Sequence, residues 1–141
     1  PALISRFHRA AKEEATHIDI WGSGKAKREF LHVDDLADGC IHLMKIDEHN
    51  YKKNIPDSNS HINVGTGVDI EISELVKILK NISGFKGEIV YDTSKPDGTM
   101  RKVLDISLIN SLNWKSSIIF EDGLNESYKW YLEHYPNVKR S

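Results

Sequence analysis

The stretch Trp21-Gly22-Ser23-Gly24-Lys25-Ala26-Lys27-Arg28-Glu29-Phe30-Leu31-His32-Val33-Asp34-Asp35-Leu36-Ala37 decides how the rest of the chain is read. Just before it, Ile18-Asp19-Ile20-Trp21 alternates apolar and polar residues, as a half-buried strand does. The glycines supply a tight turn, and Arg28 to Val33 reads as a second strand, so a strand–loop–strand unit is predicted. Asp34 or Asp35 is then the expected N-cap of a helix, with carboxylates at its positive end and no catalytic role. That helix carries Leu36, Cys40, Leu43 and Met44 on one face, widened by Ala37 and Ile41.

Working outward, Pro1 suits a first helical turn, and Leu3, Phe7 and Ala10 recur at helical spacing with Ile4 and Ala11 beside them. An opening already inside a helix leads us to expect a preceding domain. Downstream, residues 47–60 read as a polar surface loop containing Pro56, and Ile62-Asn63-Val64-Gly65 as a short strand. Ser73 is the expected cap of a helix bearing Leu75, Val76, Leu79 and Ile82, and Gly84 its stop. Ile89-Val90-Tyr91 forms another strand, Ser94 to Lys102 a turn-rich charged loop, and 121–135 a final helix with Leu124, Tyr128, Tyr131 and Tyr135 on one side. Strands alternating with helices give an α/β class. About four short strands are thin for a free-standing doubly wound sheet, so the chain reads as part of something larger.

Composition narrows the function classes. Nineteen basic against 21 acidic residues give a net charge of -2, which argues against a nucleic-acid or anionic-membrane partner. No apolar run approaches the roughly 20 residues that span a bilayer. A lone Cys40 cannot form an internal disulfide, so a cytoplasmic, reducing location is expected. On the apolar face of its helix its thiol is expected to be buried and quiet. The seven His residues show no HExxH and no paired Cys/His spacing, so no metal site is predicted.

Apparent cofactor loops fail on their own residues. Gly22-Ser23-Gly24-Lys25 ends like a P-loop, but Asp19 stands at the first glycine position and Ala26 replaces Ser/Thr. Gly65-Thr66-Gly67 opens like a dinucleotide fingerprint, yet Ile70 occupies the third glycine position and blocks close helix–strand approach. A reductase Tyr and Lys four residues apart must share one helical face. Tyr91/Lys95 runs from strand to loop, and Tyr135/Lys139 is interrupted by Pro136. Neither pair is read as catalytic.

The order Trp-Gly-x-Gly, Arg-Glu-Phe-x-His-Val-x-Asp, then Asn63-Val64-Gly65 resembles the extended short-chain dehydrogenase/reductase family. The loop Ser94-Lys95-Pro96-Asp97-Gly98-Thr99, followed by Arg101-Lys102, narrows the resemblance to its GDP-L-fucose synthase branch. Met100 departs from that pattern, which has Pro there, and is expected to loosen the turn without removing a polar contact. The resemblance implies a small substrate-binding domain, plus a strand and helix that would complete a Rossmann-like domain. It implies that residues 1–141 are a C-terminal sugar-nucleotide-binding portion without the N-terminal NADP-binding domain.

The resemblance further implies a parent enzyme, a homodimer, that converts GDP-4-keto-6-deoxy-D-mannose to GDP-L-fucose by 3,5-epimerisation and NADPH-dependent reduction. Its catalytic groups and NADP(H) loop would lie upstream of Pro1, so this chain alone is expected to be inactive and to hold no cofactor. By resemblance Arg28 grips the GDP-sugar diphosphate, Arg6 reaches it from the first helix, Trp21 offers a flat face, Asp97 accepts from ribose or guanine, and Lys102 adds a weaker anionic contact. Plainer readings stand beside these: Arg28 as a solvated hairpin tip, Trp21 as a core aromatic, Asp97 as a turn residue. Another epimerase or dehydratase of the family, or a non-catalytic nucleotide-sugar binder, are the alternative functions.

Overall fold

The computed structural model describes residues 2–59 and 61–135. In chain order the elements are α1 (Ala2–Lys12), β1 (His17–Trp21), β2 (Lys27–Glu29), α2 (Val33–Lys45), α3 (Glu48–Asn54), β3 (Asp69–Glu71), α4 (Ile72–Ser83), β4 (Glu88–Asp92), β5 (Arg101–Lys102), α5 (Ser107–Ser111) and α6 (Phe120–His134). The α/β class read from the sequence is the one observed.

The core forms where three apolar stripes meet. Phe7 and Ala10 of α1, Ile18 and Ile20 of β1, and Leu75, Val76 and Leu79 of α4 are buried together with Phe85. Phe7 and Phe85 meet edge to face at 5.9 Å, a favoured aromatic geometry. Strand β1 alternates as its sequence requires, Ile18 and Ile20 inward and its other residues outward. It pairs in parallel with β4, Ile18 opposite Ile89 and Trp21 opposite Asp92. Helix α4 follows β3, leads into β4 and ends at Gly84 in the left-handed conformation, as read. Tyr128 and Tyr131 of α6 are buried, and both meet His8 of α1, Tyr128 through its hydroxyl at 3.1 Å.

Several local expectations are corrected. The strand expected over Arg28–Val33 is only Lys27–Glu29, and it does not share a sheet with β1. Strand β2 lies instead between β3, antiparallel, and β5, parallel. The cap of α2 is neither Asp34 nor Asp35 but His32, whose Nδ1 accepts the Asp34 N–H. Ser73 sits inside α4, whose cap is Glu71. The segment 47–60 is not wholly loop: Asp47 accepts the Asn50 N–H and starts α3, and Ile55 is buried behind it. Residues 62–65 form no strand, because no ladder partner adjoins them among the described residues. Lys139, of the Tyr135/Lys139 pair, and Pro136 lie outside the described residues.

Helix α2 departs most from its pattern. Its buried positions are Asp35 and Gly39, while Val33, Leu36, Ile41 and Met44 are exposed, Met44 at 85%. Cys40 is exposed too, contrary to the expected burial. The buried side is polar and tied down. Asp35 accepts from Ser117 N–H, Ser117 Oγ and Ile118 N–H at 3.0–3.1 Å. Trp114 Nε1 donates to Asp38 at 2.8 Å, and His42 Nε2 meets the Leu112 carbonyl at 2.7 Å. Burial disfavours the Asp35 carboxylate, but the donors from Ser117 and Ile118, with His32, outweigh it and hold its pKa below the usual value.

Candidate functional site

Register on the second sheet builds the site. Arg28 stands opposite Lys102, and Lys27 opposite Arg101, across the β2–β5 ladder. Arg28, Arg101 and Lys102 line one cleft of about 720 Å³ with Glu29, Leu31, Val64, Gly65, Val103 and Leu104. Two strands far apart in sequence thus place three cations beside an apolar wall. Arg101 also donates through Nε to Asp69 of β3. Arg28 donates through Nη1 to the Lys27 carbonyl at 2.6 Å.

The carboxylate in this cleft is already engaged. Glu29 Oε1 accepts from the Thr66 N–H at 2.5 Å, the Gly67 N–H at 2.8 Å and Thr66 Oγ1 at 3.2 Å. Its Oε2 accepts from the Leu104 N–H at 2.6 Å. With its negative charge met by these donors, the cleft can attract an anion through its basic side chains. Gly65 permits the arrangement, since a Cβ there would lie 2.4 Å from Glu29 Oε1.

The remaining predicted residues lie near the other sheet: Trp21 in β1, Arg6 on α1 and Asp97 in the loop after β4. Trp21 ends β1 and is 72% exposed, which removes the core reading and leaves its face available. Arg6 donates to the Asp19 carbonyl of the same strand. Asp97 accepts from Ser23 N–H at 2.6 Å and Ser23 Oγ at 2.8 Å, and so latches the 93–100 loop to the Gly22–Gly24 turn. Those bonds, side chain first, and the charge of Lys25 lower the Asp97 pKa. Met100, at the end of that loop, accepts the Lys27 N–H at 2.7 Å through its backbone carbonyl, an acceptor that a Pro there would supply equally. Of the five predicted binding residues, Arg28 and Lys102 line the cleft, while Arg6, Trp21 and Asp97 do not. Sequence reading missed Arg101 and gave Glu29 no role. The adjacent Arg101-Lys102 dipeptide was the available signal for the first.

The same bonds test for a dinucleotide cofactor. A phosphate-binding loop offers free backbone N–H groups, but here Thr66 and Gly67 give theirs to Glu29 and Ser23 gives its own to Asp97. The glycine turns of this chain therefore do not fit the pyrophosphate of NADP(H). Tyr91 does not resemble a reductase tyrosine either: burial raises its pKa, the reverse of activation. Among the described residues no cluster of His, Cys, Asp and Glu could hold a metal ion, and no helix is long and apolar enough to cross a membrane.

Comparison with known proteins places this geometry in context. Residues 1–65 match the model of the NAD dependent epimerase/dehydratase family. The chain is 47% identical over 134 residues to GDP-L-fucose synthase of Escherichia coli, covering 95% of this chain and 42% of that protein. Among solved structures, the NADP-bound GDP-mannoheptose C4 reductase of Campylobacter jejuni superposes with a TM-score of 0.79 at 41% identity, over 94% of this chain and 44% of that one. A GDP-L-fucose synthetase from Naegleria fowleri gives 0.85 at 26% identity, over 99% and 40%. The chain thus spans about 40% of the length of the curated relatives it matches.

Proposed function

The chain is homologous to the GDP-L-fucose synthases of the extended short-chain dehydrogenase/reductase family, and from that premise we propose that it is the sugar-nucleotide-binding C-terminal part of such an enzyme. The observation that carries this reading is the cross-strand placement of Arg28, Arg101 and Lys102 on one cleft. A diphosphate needs fixed cationic donors, and the planar fork of an Arg matches two phosphate oxygens at once. Arg28 is the main diphosphate ligand, Lys102 a second, and Arg101 an added one. Trp21 and Arg6 meet the nucleotide or sugar from the β1–β4 side, and Asp97 serves first as a latch and second as an acceptor for ribose or guanine.

The intact enzyme would convert GDP-4-keto-6-deoxy-D-mannose to GDP-L-fucose by 3,5-epimerisation and NADPH-dependent reduction. An N-terminal domain would supply the NADP(H) site and the catalytic groups, and would cover the exposed apolar face of α2. This chain by itself is then silent, and NADPH oxidation with the keto-sugar by the purified 141-residue chain would overturn that statement. Titration with GDP, UDP and dTDP tests the binding role. GDP is expected to bind preferentially, and Arg28→Ala to weaken it by about tenfold or more. Equal binding of all three would point to another branch of the family, and binding of none would refute the reading.

A second reading is favoured by the 41% identity to a GDP-mannoheptose reductase. The parent would then reduce a different GDP-linked 4-keto sugar. Turnover of the longer enzyme with the two keto-sugars side by side separates these readings.

A further inference from the structure

The ladder that builds the cleft is short. Strands β2 and β5 pair over two residues only, Lys27 with Arg101 and Arg28 with Lys102. Beyond Lys102 the chain leaves the ladder, yet Val103 and Leu104 still form one wall of the cleft, and Val64 and Gly65 another. Neither wall is held by strand pairing. Both are held by one side chain: Glu29 accepts the Thr66 and Gly67 N–H groups with Oε1 and the Leu104 N–H with Oε2. Asn63 Nδ2 adds a cross-link to the Asp105 carbonyl at 3.0 Å. The carboxylate therefore does what two missing ladder rungs would do, and does so next to Arg28.

We propose that Glu29 is a positioning residue that closes the walls of the anion cleft, holding the segments at Thr66–Gly67 and Leu104 beside the ladder-paired Arg28 and Lys102. The proposal rests on the reading of that cleft as a nucleotide-diphosphate site. A carboxylate suits the position because it accepts on both oxygens, whereas an amide would turn an NH2 group toward backbone donors and leave them unpaired. Asp keeps the two acceptors on a shorter stem.

The test measures GDP affinity by calorimetry and backbone amide exchange by NMR on the 141-residue chain and on E29Q, E29D and G65A. E29Q is expected to speed exchange at Thr66, Gly67 and Leu104 by about tenfold or more and to raise the GDP Kd about tenfold, while the core amides of Val76 and Leu79 stay protected. E29D is expected to recover most of both losses. G65A, which drives a methyl group against Oε1 without removing the charge, should reproduce the E29Q phenotype. Unchanged exchange, or unchanged GDP affinity, in E29Q would overturn the proposal. Should E29Q also lose its core protection, G65A decides by the same two readouts. Absence of GDP binding by the unmodified chain would sink the functional reading, and exchange without ligand would still decide whether Glu29 holds the walls.

Discussion

Helices α4 and α2 are of similar length and both amphipathic, but they are held by opposite faces. Helix α4 buries its apolar stripe, Leu75, Val76 and Leu79, against α1 and β1. Helix α2 buries Asp35 and Gly39 and turns Val33, Leu36, Ile41 and Met44 outward. One helix is packed, and the other is pinned by hydrogen bonds to residues 112–118. The contrast teaches that periodicity identifies the face that gains by burial but not the surface that buries it. Where no apolar surface is supplied, buried polar bonds can hold a helix instead, provided every buried group finds a partner.

The largest effect expected from breaking this contrast lies in α4. Leu79→Ala removes a side chain only 1% exposed from the centre of the core and should cost about 2–5 kcal/mol in denaturant unfolding. A loss below about 0.5 kcal/mol would show that the core is not where stability resides. Next comes Asp35→Asn, which should cost about 1–3 kcal/mol by leaving a buried donor or acceptor of the 117–118 segment poorly matched. Faster amide exchange at Ser117 and Ile118, with Val76 still protected, would confirm that α2 is pinned.

The pH dependence of Asp35 sharpens the same point. Its pKa is lower folded than unfolded, so its contribution is complete above the ordinary Asp value of about 3.9 and fades as pH falls through the lowered one. Near-UV signals from Trp114, bonded to α2 through Asp38, should loosen at acid pH in the wild type, and this Asp35-linked step should be absent in Asp35→Asn, which has no carboxyl there to protonate. The smallest stability effect is expected on the outer face. Met44→Ser and Ile41→Ser should change the unfolding free energy by no more than about 0.5 kcal/mol. They should nonetheless reduce self-association measured by sedimentation, since an exposed apolar stripe favours assembly. A large destabilisation would mean that this face packs within the chain.

Only part of the candidate site was legible in the residues. Arg28 and Lys102 could be singled out by type and motif, and both line the cleft. That they face each other across 74 residues of sequence is a matter of strand register, which no local pattern encodes. Arg101 joined them by the same register. Glu29 carried no sequence signal for its role, because its partners are backbone N–H groups of distant residues. Asp97 shows the converse. The turn chemistry of Pro96-Asp97-Gly98 was readable, but the tie to Ser23 was not.

By itself the sequence determined the α/β alternation, the apolar stripes of α1, β1 and α4, the Gly84 stop and the final helix, because these follow from side-chain periodicity and local backbone preference. It also excluded the two glycine turns as cofactor loops. Only the tertiary structure decided that β1 and β2 belong to different sheets, that α2 is held by its polar side, and that a half-buried Glu29 meets the Thr66, Gly67 and Leu104 N–H groups beside a cationic cleft. Those outcomes depend on which distant donor meets which acceptor, and on which surface is present to bury an apolar face. Such pairings are set by the whole chain at once.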